Sequence, residues 1–168
     1  LPLINNNATE GSINTSSLTF TTSSWNIQQA VTVTGVNDFN LDGNITYTIQ
    51  VGAPVSVDLN YNGLPPQSVS VTNIDNDSPA FEITSISGHT SEDLNSANFK
   101  VRLLTVPSAN VTIDFTSSDI SEGIIQSGSS LTFTTANWNT YQTVVVKGVN
   151  DSLGDGDVTY SIIPSPSV

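Results

Sequence analysis

Leu131 to Tyr160 reads LTFTTANWNTYQTVVVKGVNDSLGDGDVTY, and Leu18 to Tyr47 reads LTFTTSSWNIQQAVTVTGVNDFNLDGNITY. The two stretches are one pattern written twice. Trp25 answers Trp138, Gly35 answers Gly148, Asn37-Asp38 answers Asn150-Asp151 and Asp42-Gly43 answers Asp155-Gly156, at an offset of 113 residues set by Trp25 and Trp138. Solenoid coils repeat every ~20–50 residues, so a period this long means one whole domain per copy. Upstream, Glu10-Gly11 falls over Glu122-Gly123 once a single extra residue is allowed in the later copy. Two full copies would outrun the 168 residues present, which points to two units cut out of phase. Residues 1–77 are expected to be the C-terminal part of a first unit and residues 78–168 the N-terminal part of a second.

Within each copy the apolar residues alternate with polar ones, the period of a half-buried strand. Leu18 to Phe20, Ala30 to Val33, Ile45 to Ile49 and Val69 to Val71 read as strands of the first unit; Phe81 to Ile83, Phe99 to Leu103 and Val111 to Phe115 read as strands of the second. Between them Asn37 to Asn44, NDFNLDGN, is an acidic loop with a glycine for its turn, and Val51 to Pro66 is broken by Pro54, Gly63, Pro65 and Pro66. Asn73 to Asp77, NIDND, follows a last strand and runs into Ser78-Pro79, which marks the junction of the units. No capped helical periodicity is sustained anywhere. The expected fold is all-β: two tandem immunoglobulin-like β-sandwich units, the first lacking its N-terminal strands and the second its C-terminal strands. A sandwich short of strands leaves backbone edges unpaired. Its expected partners are therefore adjacent repeats of a longer array, or neighbouring copies that complete it by strand addition.

Composition excludes several functions. The net charge is −12, with only Lys100, Arg102 and Lys147 on the positive side. Such a surface repels phosphate backbones and anionic lipid heads, so nucleic acid is not an expected partner. No apolar run approaches the ~18 residues of a membrane span, and membrane insertion is not expected. With no cysteine, neither a disulfide nor a thiolate metal site is available. Crowded carboxylates call for cations, and an oxygen-only donor set suits a hard ion such as calcium rather than zinc or copper.

Three stretches carry a family resemblance: SSLTFTTANWNTYQTVVVKGVNDSLGDGDVTYSI, TSEDLNSANFKVRLLTVPSANVTI and SVSVTNIDND. They resemble the Calx-beta-like repeats found in tandem in large bacterial surface and adhesion proteins, and more distantly the calcium-binding domains of sodium-calcium exchangers. The resemblance spans almost the whole chain, is strongest at Leu131 to Tyr160, and departs at Gln28 and Tyr141, where such repeats often carry proline. It implies an extracellular or cell-surface location, and calcium sites at the end of each sandwich where loops and linkers meet. Carried over position by position, it gives Asp151, Asp155 and Asp157 in the second acidic loop and Asp38 and Asp42 in the first, where Asn44 replaces the third acid. It also gives Asp75 and Asp77 after the last strand, Glu92 early in the second unit, and Asp119 in a cross-loop position.

Each of these signals has a plainer alternative. Asp, Asn and Gly gather in turns because they tolerate positive φ and bond their own backbone, with or without an ion. Trp25 and Trp138 are either sugar platforms or packing residues at the sandwich edge. Tyr47 and Tyr160 read as core or corner residues, and the lone His89 as a turn residue. No nucleophile, base and orienter stand in a triad pattern, and the acids recur in both units with no specialised pair, so catalysis is not expected. The expected function is structural: a stalk, adhesin body or filament subunit, with calcium at its acidic loops. The alternative is a module that binds a surface glycan or protein through the acidic-loop end.

Overall fold

A computed structural model describes residues 1–166; Ser167 and Val168, the tail of the expected second unit, lie outside the described residues. Among the described residues the chain forms twelve β-strands and no helix. The all-β expectation is met, and every strand pair in the named sheets is antiparallel. The strands fall into two compact units, one comprising Leu1–Asp38 and Asp42–Asn76, the other Phe39–Leu41 and Asp77 onward.

The first unit holds β1 (Leu3–Asn5), β2 (Gly11–Ile13), β3 (Val33–Gly35), β4 (Ile45–Val51) and β5 (Gln67–Asn73). They form a sheet in the order β1-β4-β5 and a two-stranded ribbon β2-β3. Alternation along β4 turns Tyr47 and Ile49 inward, where they are buried, while Thr46 turns outward and meets Thr72 across the strands, Oγ1 to Oγ1 at 3.0 Å.

The second unit holds β6 (Phe81–Ile83), β7 (Ser96–Leu103), β8 (Val111–Ser117), β9 (Gly123–Ser127), β10 (Ser130–Phe133), β11 (Gln142–Gly148) and β12 (Ile162–Pro166). One sheet runs β6-β7-β11-β9 and the other β10-β8-β12. Phe99, Val101 and Leu103 on β7 and Val144 and Val146 on β11 form one core with Ile113 and Phe115 on β8 and Leu131 and Phe133 on β10. The two sheets therefore share a single apolar interior. Phe99 and Phe115 meet edge to face across it, with ring centroids 5.6 Å apart. Full burial of each such side chain stabilises the fold by about 1.5–3 kcal/mol.

The internal repeat reappears as register. Gly11 pairs with Gly35 and Gly123 with Gly148; Asn5 pairs with Ile49 and Ser117 with Ile162. Beside each first pair, Val36 N–H donates to Glu10 O and Val149 N–H to Glu122 O, both at 3.0 Å. Gly11 and Gly123 share a reason for being glycine: a Cβ at either would land on the hydroxyl of Tyr47 or Tyr160.

Two expected strands differ. Ala30 to Val33 forms pairs only from Val33, in β3. Leu18 to Phe20 forms no strand, whereas its counterpart Leu131 to Phe133 lies in β10. The difference is the neighbour: β10 runs along β8 from Asp114 to Val111, while Leu18 exchanges backbone bonds with Leu1 alone. A strand exists by its ladder, and alternation cannot supply the partner. Phe20 is accordingly 42% exposed where Phe133 is 0%.

Candidate metal centre

The loop after β3 and the loop after β11 begin at the same place, just past a glycine on the last rung of the β2-β3 or β9-β11 pair. Across that rung lies the residue preceding Gly11 or Gly123, which is a glutamate in both units. The geometry thus delivers one acid from the strand side and two from the loop. Glu10, Asp38 and Asp42 form one such group, and Glu122, Asp151 and Asp155 the other; within each group one carboxylate oxygen of each residue lies within 4.8 Å of those of the other two. Two oxygens on opposite sides of a single calcium are about 4.8 Å apart, twice a ~2.4 Å bond, so either group can share one ion.

Electrostatics agree with geometry. The Glu122 carboxyl is raised above its ordinary pKa by desolvation first, then by Asp155, Asp119, Asp151 and Glu92. Asp42 is raised by desolvation, then by Glu10, Asp38 and Asp75. Each group is a pocket of like charge that a cation would relieve. Glu10 is 8% exposed and accepts a bond from Asn73 Nδ2 at 3.1 Å, which fixes its carboxylate from β5. Asp151 accepts the Leu153 N–H at 2.8 Å and so shapes its own loop.

The residues carried over from the resemblance fall into three sets. Asp38, Asp42, Asp151 and Asp155 belong to the two groups. Asp75, Asp119 and Glu92 lie near enough to act on them: Asp75 Oδ2 accepts the Gly43 N–H at 2.8 Å beside Asp42, while Asp119 and Glu92 both raise Glu122. Asp119 is itself held below its ordinary pKa by the Ser121 hydroxyl and backbone N–H. Asp77 and Asp157 join neither group.

Glu10 and Glu122 are the residues that reading the sequence as loops passes over. The signal was present, since Glu-Gly recurs in both copies, but the glutamate stands 28 or 29 residues from the nearer of its two partners and only the strand register closes that distance. Trp138 packs on the core of the second unit with the Phe39 ring 5.5 Å away, whereas Trp25 is 70% exposed. His89 is exposed, in a stretch without regular secondary structure next to a bend at Gly88.

No protein-family model, curated protein or solved structure matches the chain. The chemistry of the site therefore rests on its residues. Three carboxylates, no imidazole and no thiolate form a hard-oxygen set for calcium, with backbone carbonyls and water to fill a shell of about six to eight ligands.

Proposed function

We propose that the chain is a structural segment of an extracellular surface protein, built from two immunoglobulin-like, Calx-beta-like repeats that act as stalk, adhesin body or filament subunit, each stiffened by calcium at its acidic loop. One observation carries this reading: the same glutamate and two aspartates converge in both units, on the same strand register, although the copies differ in much of their remaining sequence. A turn that merely favours Asp and Gly has no reason to bring a glutamate from another strand along with it.

A calcium titration followed by thermal melting tests it. A midpoint that rises with calcium and returns on adding EDTA supports the reading, because a ligand that binds only the folded state stabilises it by mass action. Glu122→Gln with Asp155→Asn removes the second site, and Glu10→Gln with Asp42→Asn the first. Each pair should remove part of the rise and the combination all of it. A midpoint indifferent to calcium sinks the cation half of the proposal. The rival reading, a glycan-binding or protein-binding module, draws on the open cleft of the second unit beside Asp157 and Tyr160; it is favoured if immobilised glycans retain the chain while calcium leaves melting unchanged.

A further inference from the structure

The loop between β4 and β5 contains the one Asn-Gly step in the chain, Asn62-Gly63. Asparagine is a chemically labile residue, and most so here, where its side-chain amide stands next to a main-chain nitrogen that no side chain shields. We propose that Asn62 is a self-modifying site, whose side-chain amide leaves as ammonia through a cyclic imide and is replaced by a carboxylate.

The loop leaves the reacting groups accessible. Asn62 and Gly63 are both exposed, in a turn outside the strands. Gly63 takes φ +77°, and the position a Cβ would occupy has nothing within 4 Å, so the main chain there is open to water and base. The Asn62 amide is held at one end only. Its Oδ1 accepts the Ser56 N–H at 3.3 Å, whereas its Nδ2 donates to nothing among the described residues. The carbonyl under attack is thus polarised by a donor placed where negative charge develops, and the group that must leave is unrestrained. One bond opposes the attack: Gly63 N–H donates to Pro54 O at 3.3 Å, long for an amide-carbonyl bond, and an exposed loop opens such a bond without melting a sheet. Asn60, in the same loop, is protected. Its Nδ2 and its N–H both donate to Asp58 Oδ1 at 2.9 Å, and the nitrogen that follows it belongs to Tyr61, whose side chain crowds it and whose N–H donates to Asp58 O at 3.1 Å.

The chemistry balances with water as the only co-reactant. Gly63 N gives its proton to solvent base and bonds to Asn62 Cγ; the Cγ–Nδ2 bond breaks, and Nδ2 takes up a proton and leaves as ammonia. Water then opens the imide. Addition at Cγ restores the main chain and leaves aspartate, whereas addition at the main-chain carbonyl leaves isoaspartate, with the chain running through the former side chain. One water is consumed, one ammonia is released and no electron is transferred. Either product is ionised at neutral pH, so each event adds a negative charge to a chain already at −12, in the turn where Asn62 N–H meets Asp58 O at 3.0 Å. Isoaspartate also lengthens the loop by a methylene. The converted fraction therefore records the time the chain has spent in water, and no enzyme is needed to write it.

The test incubates the full chain at neutral and mildly alkaline pH and follows it by ammonia release and by mass-spectrometric peptide mapping. Ammonia should appear in step with a single more acidic form, faster as pH rises. Mapping should place the change at Asn62 as a mixture of isoaspartate and aspartate, with Asn60 converting at least about tenfold more slowly. Gly63→Ala sets a methyl group beside the attacking nitrogen and should slow conversion at least about tenfold. Circular dichroism checks that this variant keeps its strands; should it unfold, the product mixture from the parent chain decides alone. Aspartate without isoaspartate would mean direct hydrolysis and overturns the cyclic route, as does Gly63→Ala converting as fast as the parent. A chain that keeps its Asn62 amide, whether or not another asparagine converts, overturns the assignment of the site.

Discussion

Glu122 and Gly123 divide two tasks between adjacent positions: the first contributes a carboxylate to the acidic group and the second leaves room for the Tyr160 ring. A methyl group at Gly123 would meet the Tyr160 hydroxyl and ring together, and the hydroxyl is already engaged with Thr90 Oγ1 at 2.6 Å. Gly123→Ala should therefore lower unfolding free energy by about 1–3 kcal/mol in a denaturant titration. Gly88→Ala is the control, because its Cβ has nothing within 4 Å, and it should cost well under about 1 kcal/mol. Equal effects would remove the steric account. The same pair of positions shows the limit of reading acids from loops alone. Asp38, Asp42, Asp151 and Asp155 were named through the resemblance of their repeated acidic loops to a known family. Glu10 and Glu122 were not, because their proximity to those acids exists only across a strand pair.

At the level of strands, one sequence pattern meets two environments. LTF occurs at Leu18 to Phe20 and at Leu131 to Phe133, yet only the second lies on a neighbouring strand and closes a core. Phe133→Ala should cost about 3–5 kcal/mol through lost burial and a residual cavity. Phe20→Ala, at the matching but exposed position, should cost under about 1 kcal/mol. Chemical unfolding of the two variants decides; matching losses would mean that Phe20 is as enclosed as Phe133. Strand character and alternation were readable in β4, β7 and β8, because side-chain period depends on nothing beyond the strand itself. Failure at Leu18 to Phe20 has the opposite cause, since pairing belongs to two segments and the sequence of one cannot report the other.

Over the whole molecule, fifteen Asp and Glu face three Lys and Arg, and one of the three, Arg102, is already bonded to Glu82 at 2.7 Å while lying 4.7 Å from the Tyr141 ring centre. The charge therefore governs how stability responds to pH. Asp42 and Glu122 hold their protons more tightly folded than unfolded, so the stability they contribute is present below the ordinary carboxylate pKa of about 4 and is lost as pH rises through their raised values. Glu82 and Asp119, held down by Arg102 and Ser121, contribute stability above that range and lose it as pH falls through their depressed values. In EDTA the melting midpoint should rise on acidifying from neutrality through the raised values of Asp42 and Glu122, and fall again as pH drops through the depressed values of Glu82 and Asp119. Any calcium-induced rise should shrink along the same path, because protons and the ion compete for the same oxygens. A midpoint in EDTA that declines steadily from neutrality would show that these two acids are not under strain. The stretch joining β4 to β5 carries a different consequence. Val55, Val57 and Leu59 are 90%, 102% and 86% exposed on a span without strands, where a protease can bind extended backbone without breaking a sheet. One cut there would leave β5 covalently joined only to the second unit and held in its own sheet by the β4–β5 ladder alone, so resistance to protease would be set by scission at that span before any core melts.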